Sequence, residues 1–294
     1  MDMKAYMAEV RDEVERCLDR LLPAEDKEPA TIHKAMRYSV FAGGKRLRPI
    51  LVFAAGESVG GARVTLIHLG ACFEMMHTYS LIHDDLPALD NDDLRRGMPT
   101  CHKVFGEAMA ILAGDALMTR CYQLLAELPE VDDTVRLAVI REIARATGTQ
   151  EAMIGGQVVD LQSEGRAISE ATLEYIHRSK TGALLTACAR CGALAAGADD
   201  FQLDALTRYG RDIGLAFQIV DDILDVTSTS AALGKTAGKD EKVKKATYPA
   251  LYGLESSRAK TRALCASAIA DVEVLGARAE PLRGLAHFIC ERSA

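Results

Sequence analysis

Tryptophan is missing altogether, and aromatic residues make up only 5% of the 294-residue chain. Sandwiches and barrels lean on β-branched and aromatic side chains, so this shortage, with Ala and Leu abundant, favours helices. Low-complexity segments are absent, and no uncharged run reaches the ~18 residues of a membrane span. Asp115 and Arg190 interrupt the best candidates. The N-terminal stretch Met1-Asp-Met-Lys-Ala-Tyr-Met lacks the apolar core of a signal sequence. An excess of basic charge is lacking too: the net charge is −7, which argues against nucleic acid as the main partner. A negative protein that handles an anionic substrate needs local basic patches or metal ions. The eight cysteines are scattered, and the only close pair, Cys188 and Cys191, has no second pair or nearby His to complete a zinc site. They are expected to be small packing residues in a reducing cytoplasm.

What is present is hydrophobic periodicity, in a chain that is 49% hydrophobic and able to bury a sizeable core. Val10, Val14, Cys17, Leu18 and Leu21 recur at helical spacing and predict a helix over 2–22, ended by Pro23. Further helices are predicted over 32–41, 49–58, 64–86, 107–128, 134–152, 181–196, 201–226, 256–275 and 280–292, with another starting near Ser169. Residues 99–105 are expected to be a connector. Gly155-Gly156 is expected to interrupt its helix, or to mark a kink or close helix approach, because mid-helix glycine costs about 1 kcal/mol against alanine. No strand pattern and no linker-like shift in composition appear. The expectation is one all-α domain, residues 1–294, of ten or more mostly antiparallel helices.

Two acidic clusters each close an apolar helix. The first is His83-Asp84-Asp85-Leu-Pro87-Ala-Leu-Asp90-Asn-Asp92-Asp93, followed by Arg95-Arg96-Gly97. Unit charges 4 Å apart repel by about 1 kcal/mol in water, and by more in a low-dielectric cleft. Such a cluster is either solvated or holds hard divalent cations. Asp84 to Asp90 spans about 600° of an ideal helix, not one face, so the helix must end or bulge at Pro87. The second cluster is tidier. Asp225 lies three and four positions after Asp222 and Asp221 and so shares a helix face with both, with Gln218 one turn before. Its flanking residues are apolar, so these acids are expected to face a cleft; a solvated helix end is the alternative.

Asp84-Asp85-x4-Asp90, then Arg95-Arg96-Gly97, then Asp221-Asp222-x-x-Asp225, resembles the trans-isoprenyl diphosphate synthases (polyprenyl synthetases). The four-residue spacer is similar to that of bacterial farnesyl and plant-type geranylgeranyl diphosphate synthases, and the match runs from about Tyr38 to Tyr252. The resemblance implies an isoprenoid synthase-like fold, helices surrounding a central cavity, and a homodimer. It implies a prenyltransferase that condenses isopentenyl diphosphate with dimethylallyl or geranyl diphosphate to give (2E,6E)-farnesyl diphosphate. The allylic diphosphate ionises, isopentenyl diphosphate attacks the cation, and a proton is lost. Geranylgeranyl or geranyl diphosphate is the alternative product. The implied cofactor is Mg²⁺, about three ions with substrate bound and Mn²⁺ as a substitute, on Asp84, Asp85, Asp90, Asp221 and Asp225.

The same resemblance assigns the basic groups. Gly43-Gly44-Lys45-Arg46-Leu-Arg48-Pro49 is similar to the stretch that grips isopentenyl diphosphate, a contact assigned to Lys45, Arg48, His77 and Arg96. Arg95 would hold the allylic diphosphate; guanidinium suits phosphate through its planar fork of donors. Lys180, Thr181 and Gln218 would line the allylic site as fixed dipoles facing developing positive charge. Lys235 and Lys245 would reach the diphosphate from a loop over 227–247 (the register leaves Lys244 open as well). Gln157 and Asp160 are expected behind the site. Tyr79, five residues before the first aspartate, stands where an aromatic limits similar enzymes to fifteen carbons, and Ser80 leaves room to pass ten. Glu74-x-x-His77 and Glu174-x-x-His177 offer a different class, the pattern of di-iron carboxylate bundles. It leaves both aspartate clusters and the Lys45–Arg48 patch without a role.

Overall fold

The computed structural model describes residues 1–227 and 247–291. The chain runs through α1 (Met3–Leu21), α2 (Ala30–Val40), α3 (Leu47–Ser58) and α4 (Arg63–Asp84). A two-stranded hairpin follows, β1 (Leu94–Arg95) and β2 (Met98–Pro99), then α5 (Cys101–Phe105), α6 (Glu107–Ala126), α7 (Asp133–Thr147) and α8 (Met153–Ser163). Next come α9 (Glu170–Ile176), a π-helical segment (His177–Gly182), α10 (Ala183–Ala195) and α11 (Asp200–Thr227). The described chain closes with α12 (Tyr248–Tyr252), α13 (Leu254–Asp271), a 3₁₀ turn (Glu273–Ala279) and α14 (Glu280–Glu291). The fold is all-α, as the sequence predicts, and no described helix is long and apolar enough to cross a membrane.

Local chemistry explains the main starts and contacts. Asp2 caps α1 by accepting hydrogen bonds from the backbone N–H groups of Lys4 (3.0 Å) and Ala5 (3.2 Å). The predicted stripe Val10, Val14, Cys17 and Leu18 is buried. α4 is buried on most of its surface, Leu66, Leu69, Phe73, Met75 and Met76 included, and packs against α3, α6 and α1. Each such side chain contributes about 1.5–3 kcal/mol by burial. α10 lies close against α3 because Gly192 has no side chain: a Cβ there would come within 2.3 Å of the Val52 carbonyl oxygen. α11 runs along α10 on one side and α13 on the other.

Several expectations are corrected. The sequence shows no strand pattern, yet Leu94–Pro99 forms a hairpin with Arg95 paired to Met98. Arg96 (φ 54°) and Gly97 (φ 80°) make its two-residue turn, in which both central residues have positive φ. Gly155 and Gly156 do not interrupt a helix. They lie in the first turn of α8, while α7 ends at Thr147. The close-approach alternative is the one observed: a Cβ on Gly156 would meet the Lys180 backbone nitrogen at 2.3 Å. The 99–105 connector contains the short helix α5. The helix predicted over 256–275 stops at Asp271, before the 3₁₀ turn containing Gly276 at φ 64°.

Candidate active site

Helices α4, α8, α9 and α11 and the π segment surround a cavity of about 590 Å³. The first aspartate cluster reaches it because α4 ends at Asp84, before Pro87. The chain then folds back, and the Asp90 N–H donates to the Asp84 carbonyl (2.8 Å). Both side chains line the cavity, and Asp221 and Asp225 line it from α11. Burial, with Asp90 and Asp85 adding repulsion, pushes the Asp84 carboxyl up to about 6, although Lys180 and Arg95 pull it the other way.

Asp85 is not in the cavity lining. It is buried, and accepts from Arg95 Nε at 3.0 Å (Oδ1) and 3.2 Å (Oδ2), with Arg95 Nη2 also on Oδ1. The hairpin turn sends the two arginines to different places. Arg95 lines the cavity over Asp85. Arg96 donates to the Gly43 carbonyl and sits 4.0 Å from Glu74. Gly44 leaves the space for it, since a Cβ there would meet Arg96 Cζ at 2.6 Å. Arg48 lines the cavity, and its buried Nε has no hydrogen-bond partner among the described residues. His77 stands beside it; burial, reinforced by Arg48, Arg96, Arg95 and Arg46, holds its imidazole well below the usual value and hence neutral. Lys45 is exposed and outside the cavity lining. Lys235, Lys244 and Lys245 lie outside the described residues.

The π segment presents Lys180 and Thr181 to the cavity. Lys180 Nζ is 2.7 Å from Asp160 Oδ2. Thr181 Oγ1 donates to Gln218 Oε1 (2.8 Å), and Gln218 Nε2 donates to Asp222 Oδ1 (3.1 Å). Asp222 Oδ2 accepts from the Tyr248 N–H (2.9 Å) and lies 3.3 Å from His177 Nε2. The middle aspartate of the second cluster thus fixes the amide of Gln218, which in turn aligns the Thr181 hydroxyl. Tyr79 and Ser80 line the cavity wall, Tyr79 nearly buried and edge-on to His83 at 5.7 Å between ring centroids.

Sequence reasoning missed two structural roles. Arg46, second of the cations after Gly44, is fully enclosed and donates to Glu74 (2.7 Å) and the Val40 carbonyl (2.7 Å). Glu74 is therefore the partner of an arginine, and Glu174 pairs with Arg178; the two Glu-x-x-His pairs do not converge as a di-iron site. His177 and Asp222 form the second, and only the i,i+4 spacing from Gln218 to Asp222 hinted at it. Among the described residues no three His, Cys, Asp or Glu side chains form a ready metal centre. The carboxylates instead stand around a shared space as hard oxygen donors, and burial raises the cost of charge on Asp84. That donor set fits Mg²⁺, which binds through a few carboxylates and completes its shell with water and substrate phosphate.

An all-helical fold with acidic clusters from two helices and arginines around one cavity defines a class, helical enzymes for diphosphate substrates. The family model for polyprenyl synthetase matches residues 29–275, and the chain belongs to that family. It is 45% identical to the farnesyl diphosphate synthase of Escherichia coli (strain K12) over 299 residues, covering 100% of both chains. It is 47% identical over 300 residues to the heterodimeric geranylgeranyl pyrophosphate synthase large subunit 1, chloroplastic, of Arabidopsis thaliana, covering 99% of this chain and 80% of that one. The apo structure of an FPP/GFPP synthase from Zymomonas mobilis superposes with a TM-score of 0.88 at 38% identity, covering 98% of this chain and 99% of the other. The protein is a trans-prenyltransferase of the farnesyl/geranylgeranyl diphosphate synthase type, a family that uses isoprenoid diphosphate substrates.

Proposed function

We propose that this enzyme condenses isopentenyl diphosphate with dimethylallyl and then geranyl diphosphate, and stops at (2E,6E)-farnesyl diphosphate. The observation that carries the reading is Tyr79, which stands in the cavity wall on the same helix as Asp84 and five residues before it. A chain growing from a diphosphate held at Asp84 meets this ring. Ser80, half-buried and donating to the His77 carbonyl (2.8 Å), leaves space beside it. The relatives carry both farnesyl and geranylgeranyl names, so this wall is what favours farnesyl.

Asp84 and Asp90 on one side and Asp221 and Asp225 on the other would hold Mg²⁺, with Mn²⁺ able to replace it. Asp85 supports from behind through Arg95. Bound Mg²⁺ would supply neutralisation of the leaving diphosphate. Arg95 faces the allylic diphosphate, while Arg48, His77, Arg96 and the exposed Lys45 receive that of isopentenyl diphosphate. The unpartnered Arg48 Nε supports this, because a buried guanidinium N–H without an acceptor is costly and an anion supplies one. Neutral His77 donates without adding charge. The Thr181 hydroxyl, the Gln218 amide and Lys180 line the region where positive charge develops, oriented by Asp222 and Asp160. Lys235 and Lys245 are proposed to reach the diphosphate from outside the described residues.

The whole chain, 1–294, is proposed to act as one domain in a homodimer. Ile111 and Leu112 on α6 are 45% and 54% exposed, apolar positions suited to a second copy. All eight cysteines are free, in keeping with a cytoplasmic location. Incubation with Mg²⁺, isopentenyl diphosphate and dimethylallyl diphosphate, with products sized by chromatography, should give farnesyl diphosphate as the main product. A main product of geranylgeranyl length would contradict the Tyr79 assignment.

A further inference from the structure

The π segment has two faces, and only one belongs to the catalytic cavity. His177, Lys180 and Thr181 line that cavity, whereas Arg178, Ser179 and Gly182 line a second one of about 570 Å³ on the opposite side. The second cavity is open to solvent, bordered by α7, α9, α10 and α11, and rich in positive charge, with Arg145, Arg178 and Arg211 exposed at it. Arg145, Arg178, Arg190 and Arg211 line it against only Glu142 and Glu151. Glu142 is shared by two of these arginines, Arg145 (3.2 Å) and Arg190 (2.6 Å). Arg211 is exposed and makes no ion pair among the described residues. Ser179 is 2% exposed, lines the cavity, and donates no hydrogen bond among the described residues.

Four guanidinium groups facing two carboxylates, beside a space large enough for a metabolite, leave spare donors for an anion. The floor of the pocket is stiff. Gly182 approaches α11 so closely that a Cβ on Gly214 would meet its Cα at 2.8 Å, and one on Gly210 would meet the Thr186 Cα at 2.9 Å. The pocket walls and the π turn are thus in direct backbone contact. Such turns are rare, sit at functional sites, and leave the backbone one residue from an alternative hydrogen-bond register.

We propose that this second cavity binds a compact anionic metabolite bearing phosphate or carboxylate groups, and that its occupancy is transmitted through the π segment to Lys180 and Thr181. The binding half stands by itself; the transmission half rests on the assignment of Lys180 and Thr181 to the prenyl-transfer site. Arg211 would contribute charge, Ser179 a hydrogen bond, and Arg145 and Arg178 would turn from Glu142 and Glu174 toward the ligand.

The test uses inorganic phosphate as probe on the full chain with the catalytic cavity saturated by isopentenyl diphosphate. Hydrogen exchange is followed for peptides covering 175–190. Millimolar phosphate should slow exchange there, and Arg211→Glu should raise the half-saturating concentration at least about tenfold, with unchanged turnover when phosphate is absent. Arg178→Glu should act in the same direction, guarding against an effect particular to one variant. No protection, or protection that survives both variants, would overturn the site. Transmission is read separately: phosphate should change wild-type turnover about fivefold and leave Arg211→Glu unaffected. Protection without any change in turnover would remove the coupling and keep the site, while absence of prenyl transfer altogether would remove the catalytic reading and leave the binding result standing.

Discussion

Asp84 is held at an energetic disadvantage by the cavity it serves. Its carboxyl is raised from 3.8 to about 6, chiefly by burial, so ionisation opposes folding in the absence of a cation. The sign follows from linkage: the penalty is absent below the unfolded value near 3.8, grows between there and about 6, and is complete above it. Asp84→Asn should therefore stabilise the metal-free protein at neutral pH by up to about 3 kcal/mol. Thermal unfolding in chelator should show a higher Tm for the variant near pH 7 and no difference near pH 4. Equal Tm at neutral pH would mean that the carboxylate is not strained. Tyr79 acts at the same scale. Tyr79→Ala should lengthen the product distribution past farnesyl and cost about 3 kcal/mol of stability, read by chromatography and by denaturant unfolding. An unchanged product profile would remove the wall assignment.

At the scale of elements, much of the fold was legible because it rests on hydrophobic period. The stripe of α1, the apolar character of α4 and the acidic end of α11 follow from spacing alone. The end of α4 at Asp84 follows the expectation that Pro87 breaks the helix early enough to bring Asp84 and Asp90 together. Other features escaped for physical reasons. The hairpin turn is Arg96-Gly97, not the Asn-Gly or Asp-Gly that usually signals positive φ at both positions, and its arginines drew attention as charges. The π segment differs from an α-helix by one hydrogen-bond register, which side-chain period does not report. Arg46 could not be told from Lys45 and Arg48 because all three stand in one basic run, and only the packed position of Glu74 separates a structural arginine from its neighbours. Gly156 tests the importance of the π segment. Gly156→Ala would drive a methyl into the Lys180 backbone, and should lower turnover roughly 10- to 100-fold at a stability cost of about 1–3 kcal/mol. Full activity would show that the position of the turn is not critical.

At the scale of the molecule, the helices set two acidic ends against each other across one cavity, with a basic rim at α3 and the hairpin and exposed Ile111 and Leu112 on α6. Leu112→Asp should convert the proposed homodimer to a monomer in sedimentation velocity; an unchanged dimer would place the interface elsewhere. The central claim is that both acidic ends work on one diphosphate in that cavity. Its most direct test is diphosphate release from dimethylallyl plus isopentenyl diphosphate in Mg²⁺ by wild type, Asp84→Ala and Asp221→Ala, each checked for folding by circular dichroism. Both variants should fold and lose at least about a thousandfold in rate, equivalent to roughly 4 kcal/mol of transition-state stabilisation. Turnover retained by either variant would contradict the account.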